Sequence, residues 1–215
     1  MKDKVLLLDF CGTVVPFQSA DRFVRFVHAN GHRRPIENIR YFDYRIHAKL
    51  GLISLRERIS HKRLNKIRVL RVIKGRTRRE IDALSNRYYS EVIKPQINHE
   101  TIKIMKAYRN DGYEIILLSA AYDSYLKYFA REYDISTILS TELHYDKKDR
   151  IDGRFANADC VANNKVTAFK NYLVDNNFEK PSRIASITDS DSDKPVMDIS
   201  DEVYFVSKDK IVKVK

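Results

Sequence analysis

Residues 4–8 form a nearly unbroken apolar run that stops at an acid, Asp9. A run without polar alternation predicts a strand covered on both faces, as in a parallel sheet. From Ser19 to about Tyr89 the period turns helical and no strand pattern interrupts it. Phe23, Phe26 and Val27 share one face; Leu55, Ile59 and Leu64 make a second, weaker amphipathic stretch; Ile81, Leu84 and Tyr88 make a third. Thr77, with Glu80 three residues on, has the spacing of a capping box at the start of that last helix. Beyond Pro95 the pattern alternates. It predicts a helix over 102–109 stopped by Asn110-Asp111-Gly112, a buried strand over 113–119 and a helix over 122–133. A short strand over 135–139 and a hairpin over 143–155 follow, with Asp152-Gly153 as the hairpin turn. A helix over 164–175 and strands over 183–187 and 202–206 complete the chain. Strands and helices in this order predict an α/β fold, a mostly parallel sheet with helices on both faces, and a helical block inserted after the first strand.

A length of 215 residues suits one medium domain, or a core carrying a smaller inserted unit. A hydrophobic fraction of 43% with 11% aromatic residues supplies a packed interior and excludes a disordered chain or a coiled coil. The two cysteines, Cys11 and Cys160, lie far apart without metal-ligand spacing, which points to a reducing, cytoplasmic setting. The apolar run before Asp9 is too short for a secretion signal or a membrane span.

Charge sharpens the division of the chain. Residues 17–90 hold 19 Lys and Arg against 6 Asp and Glu, whereas the remainder holds 21 against 23. The net charge of +11 therefore belongs to the helical block. Such a block attracts phosphates, nucleic acid or anionic lipid; a solvated helical surface accounts for it equally well. Nucleic acid stays open as a partner, but no recognition motif supports it.

Four features fall where chemistry is expected. Asp9 follows the first strand, and ligands in doubly wound sheets bind beyond the carboxyl ends of strands. Ser119 ends the second long strand on the same edge, where a hydroxyl can meet a phosphate oxygen or simply cap the next helix. Lys165 sits at a helix start, a place the helix dipole disfavours for a cation. Thr188-Asp189-Ser190-Asp191-Ser192-Asp193 crowds three acids behind another apolar strand, and hard carboxylate donors suit Mg2+. Each feature has an ordinary explanation alone. Together they put a nucleophile, a hydroxyl, a cation and an acidic pair on one sheet edge.

The order of these motifs resembles the haloacid dehalogenase superfamily, in particular its phosphoserine-phosphatase-like branch. The resemblance runs from Leu-Leu-Leu-Asp9-Phe-Cys-Gly-Thr13 through Leu-Leu-Ser119 and Asn-Lys165 to Thr-Asp189-Ser-Asp-Ser-Asp193. It implies a Rossmann-like three-layer core over 1–16 and 91–215 with a helical cap over 17–90. It also implies a Mg2+-dependent phosphatase acting on a small anionic phosphate monoester. In that scheme Asp9 attacks phosphorus to form an aspartyl-phosphate. Mg2+ lies between Asp9, the Cys11 backbone carbonyl and Asp189, with Asp193 in support. Thr13, Ser119 and Lys165 hold the phosphoryl group, which suits a reaction governed by positioning and charge neutralisation.

Two positions depart from the family pattern. Cys11 stands where the phosphatases carry a second Asp that shuttles protons, and a thiol with an ordinary pKa near ~8.5 replaces a carboxyl poorly. Gln18 stands where phosphoserine phosphatases use a Glu for the substrate ammonium, so phosphoserine itself is disfavoured. Arg58 aligns with a cap arginine that binds the substrate carboxylate in that branch. The competing expectation is a catalytically degenerate binding or regulatory protein that holds a polyanion on its basic segment. A dehalogenase or phosphonate hydrolase fits the motifs less well.

Overall fold

The first strand in sequence is central in space. In the computed structural model, which describes residues 3–32, 34–49, 64–207 and 210–215, β1 (Lys4–Leu8) pairs in parallel with β2 (Glu114–Tyr122) on one side and β6 (Arg183–Thr188) on the other. β3 (Thr137–Thr141) extends the sheet beyond β2, and β7 (Glu202–Ser207) extends it beyond β6. β8 (Lys210–Lys213) closes that edge antiparallel to β7. The pattern did not predict β8, because two of its four residues are lysines. Charged edge strands of this kind resist unwanted pairing.

Side chains of β1 alternate between two cores, as a strand covered on both faces requires. Leu6 and Leu8 face one cluster, packed against α1 (Ser19–Asn30), α5 (His99–Asn110) and α6 (Asp123–Glu132). Val5 and Leu7 face the other, covered by Phe169 of α7 (Asn163–Asp175) and Val196 of α8 (Lys194–Ile199). This is a three-layer α/β fold.

Between β1 and α5 the described chain carries α1, α2 (Pro35–Lys49), α3 (Leu64–Leu70) and α4 (Arg78–Tyr88). Both bonds of the expected capping box form. Thr77 Oγ1 accepts from the Glu80 N–H, and the Glu80 carboxylate accepts from the Thr77 N–H. The stretch assigned to Leu55 and Ile59 lies outside the described residues. Fully buried Arg76, in the connection before α4, donates to buried Glu37 of α2 at 2.7 Å.

The hairpin forms, with its turn displaced from the expected place. β4 (Leu143–Tyr145) and β5 (Ile151–Phe155) are joined over 146–150, where Asp146 Oδ1 accepts from the Lys148 and Arg150 N–H groups. Asp152-Gly153 lies inside β5 instead. Gly153 has φ +83°, and a Cβ there would press on Arg71 Cγ at 2.8 Å, so this glycine admits a close neighbour.

Candidate active site

Asp9 follows β1 directly, and its N–H donates to Ile187 O of β6 at 3.0 Å. Its carboxylate is thereby fixed at the carboxyl edge of the sheet's centre. Lys165, in the first turn of α7, reaches the same edge. Its Nζ lies 2.9 Å from Asp9 Oδ1 and 2.6 Å from Asp193 Oδ2. The Thr188 hydroxyl donates to Asp193 Oδ2 at 2.6 Å, and Asp9, Lys165, Asp193 and Thr188 are all buried. Burial by itself would push the Lys165 pKa down. The two carboxylates outweigh it and hold the ammonium above its ordinary value, a permanent cation. The cation placed against its helix dipole is thus accounted for by two acids.

Asp189, just past β6, lies against Asp9. Burial first, then the negative charge of Asp9 and a hydrogen bond with it, push the Asp189 carboxyl up to about 6. The Thr13 hydroxyl donates to Asp189 Oδ1 at 3.4 Å, and the Thr13 carbonyl accepts from Thr101 at 2.9 Å. Between them Gly12 adopts φ +79°, and a Cβ built there would fall on the Asp189 carboxylate. Glycine is required twice over, for the backbone and for the space. Two carboxylates held this close form a hard oxygen donor set short of positive charge, which fits a divalent cation. Among the described residues, no group of three or more His, Cys, Asp or Glu side chains gathers to hold a metal. A cation here would take its remaining ligands from backbone, water or a bound anion.

Cys11 is turned into the protein. Its Sγ lies 3.0 Å from Ser19 Oγ and accepts from the Ser19 N–H at 3.4 Å. Ser19 Oγ in turn shares a 2.6 Å hydrogen bond with Tyr125 OH, and the Ser19 carbonyl accepts from Tyr88 OH at 2.9 Å. Burial, reinforced by the Asp9 charge, pushes the thiol up to about 11, so it is neutral throughout the physiological range.

The remaining expected residues are placed less tightly. Ser119 is buried near the end of β2, two residues beyond the Leu8–Leu117 pairing, and its hydroxyl accepts from the Ala121 N–H at 3.3 Å. Gln18 is exposed and precedes α1 without capping it through its side chain. Arg58 lies outside the described residues. The structure thus joins Asp9, Thr13, Lys165, Asp189 and Asp193 in one contact network, with Cys11 on the adjoining loop. The sequence pattern did not single out Ser19, which holds the Cys11 thiol. Ser19 carries no signal beyond its place at the start of a helix.

Residues 6–198 match the model of the haloacid dehalogenase-like hydrolases, and the chain belongs to that family. The fold is similar to that of a protein with unknown function from Bordetella pertussis Tohama I, with TM-score 0.75 and 17% identity over 94% of this chain and 89% of that one. It is also similar to a phosphoserine phosphohydrolase-like protein from Francisella tularensis subsp. tularensis SCHU S4, with TM-score 0.58 and 16% identity over 93% and 85% of the two chains. A phosphoserine phosphatase in apo form gives TM-score 0.57 and 14% identity over 93% and 84%. No curated protein matches the chain in sequence. No helix among the described residues is long and apolar enough to cross a membrane.

Proposed function

We propose that the protein is a Mg2+-dependent phosphatase that cleaves a small anionic phosphate monoester through an aspartyl-phosphate on Asp9. The reading assigns 1–16 and 91–215 to the catalytic core and the basic helices over 17–90 to a cap. The observation that carries it is the Lys165 ammonium, buried between Asp9 and Asp193 with Asp189 alongside. Mg2+ would be held by Asp9, Asp189 and the Cys11 carbonyl, with Asp193 behind them, and would supply positive charge against the phosphoryl oxygens.

The chain's own residues divide the remaining work. An Asp9 carboxylate oxygen attacks phosphorus while the bond to the leaving oxygen breaks. Lys165 offsets repulsion between Asp9 and the phosphate, and Ser119 and Thr13 position the phosphoryl group. Water then cleaves the aspartyl-phosphate, releasing inorganic phosphate and restoring Asp9. Neither proton transfer is well served by a thiol held near 11. Such a thiol is a poor base for the attacking water and a weak acid for an alkoxide. The reading therefore favours substrates whose leaving oxygen needs little protonation, with a phosphoenzyme that resolves slowly. Two buried free cysteines are consistent with a cytoplasmic setting.

The neutral Cys11 thiol also favours a second reading, a catalytically degenerate protein that binds a polyanion through the basic helices. One comparison separates the two. Hydrolysis of a chromogenic aryl phosphate is measured with Mg2+, with chelator and in Asp9→Asn. Turnover abolished by both chelator and substitution supports the phosphatase. No turnover under any condition, with salt-sensitive polyanion binding, supports the second reading.

A further inference from the structure

The partly buried ammonium of Lys66 joins the inserted helices to the core. Lys66 lies in α3, yet its Nζ donates to Ala120 O at 2.5 Å, to Thr141 Oγ1 at 3.1 Å and to Asp159 Oδ1. The rings of Tyr122 and Phe155 flank it, each centroid 5.1 Å away. Its partners come from three core segments: the end of β2, the end of β3 and the loop over 156–162. Among the described residues of the inserted segment, the fully buried pair of Arg76 with Glu37 stays within that segment. The pairs Arg78–Asp149 and Lys127–Asp82 also cross to the core, but lie on the exposed rim.

The core partners are themselves connected to the candidate site. Ala120 directly follows Ser119. Asp159 Oδ1 accepts from the Thr141 hydroxyl at 2.8 Å, and the Asp159 carbonyl accepts from Asn164 at 2.9 Å, one residue before Lys165. Between them Ala162, at φ +46°, turns the chain into α7. One cation thus fixes the backbone on both sides of the phosphoryl position that the proposed function assigns. An ion pair largely withdrawn from water in this way adds little stability over a well-packed apolar pair.

We propose that Lys66 is a positioning residue: seated from α3 on the ends of β2 and β3 and on the loop over 156–162, it sets Ser119 and Lys165 around the phosphoryl group. This rests on the phosphatase reading. On this inference the phosphate cradle is complete only when α3 is docked on the sheet edge, and phosphate binding and docking strengthen each other by the same factor.

The test uses the full chain as wild type, Lys66→Met, and the double variant Lys66→Met with Asp159→Asn. The single variant strands a buried carboxylate and is expected to lose stability. The double variant removes both charges and should melt within about 3 °C of wild type. Its turnover should nonetheless stay about 10- to 100-fold down, because the cradle is misplaced. Its affinity for inorganic phosphate with Mg2+, read by calorimetry, should fall about tenfold. In the wild type, phosphate should slow amide exchange in Leu64–Leu70; in the double variant it should not. A double variant that regains wild-type turnover and phosphate affinity along with its stability would show that Lys66 only docks the helix, and overturns the proposal. If the wild type fails to hydrolyse the ester yet binds phosphate and protects α3, the phosphatase reading fails while the coupling stands. If it does neither, both fall.

Discussion

Replacing Cys11 by Asp tests the chemistry at its weakest point. The new carboxylate would take over the two Ser19 contacts that Sγ now makes, from the hydroxyl at 3.0 Å and the N–H at 3.4 Å. Those donors favour its ionised form, whereas burial and the Asp9 charge, which already raise the thiol, oppose it. The balance lifts the new acid above an ordinary aspartate, toward the range where a group can give a proton and take one back. Full acid–base catalysis contributes about 10²–10⁴-fold. Because the Ser19 hydroxyl is shared with Tyr125, only part of that is expected here: a rise of about 10- to 100-fold in kcat on an alkyl phosphate. That corresponds to about 1.4–2.7 kcal/mol off the barrier. Burying a carboxylate there should cost about 1–3 kcal/mol of stability, read as a lower Tm. Rapid-quench kinetics provide the assay, with an alkyl and an aryl phosphate compared. The gain should be larger for the alkyl ester, whose leaving oxygen needs the proton. The reasoning is refuted if a folded Cys11→Asp protein turns over both esters at the wild-type rate while Asp9→Asn remains inactive.

Three further outcomes follow from the same geometry. Gly12→Ala should lose about 1–2 kcal/mol to the left-handed backbone alone, measured by urea unfolding, and should lose turnover as well because its methyl displaces the Asp189 carboxylate. Lys165→Met should lower stability by about 3–5 kcal/mol by stranding two buried carboxylates; adding Asp193→Asn should restore part of the Tm but none of the activity. Burial pushes the Cys11 and Cys160 thiols up to about 11 and about 12, so only a small fraction of either is the reactive thiolate at pH 8. A thiol reagent at pH 8 should therefore label neither cysteine in the native protein and both in denaturant, counted by mass spectrometry.

Much of this was legible because strand ends are legible. The apolar runs before Asp9 and Asp189 mark where β1 and β6 stop, whereas β2 runs three residues past Ser119 to Tyr122; the parallel sheet brings all three positions toward one edge. The buried setting of Lys165 was foreshadowed by its wrong place on the helix dipole. What escaped was information carried by tertiary neighbours. Asp152-Gly153 has the composition of a turn, but its glycine answers to Arg71 of a different segment. β8 hid behind its lysines. Lys66 is indistinguishable in sequence from the cations around it, and only the folded chain brings Ala120, Thr141 and Asp159 to its ammonium. The inward turn of Cys11 depends on Ser19 and Tyr125, the latter more than a hundred residues away.

The central position of β1 also bears on how the chain is made. This strand is translated before both of its neighbours, which begin only at Glu114 and Arg183. During synthesis a bare Val-Leu-Leu-Leu segment must wait, first for β2 and then, through the long stretch up to Arg183, for β6. Such delayed long-range pairing slows folding and exposes an adhesive strand to other chains. The nascent protein should lean on chaperones until β6 emerges, and Asp9 can meet Asp189 only after the intervening chain through β6 has been translated.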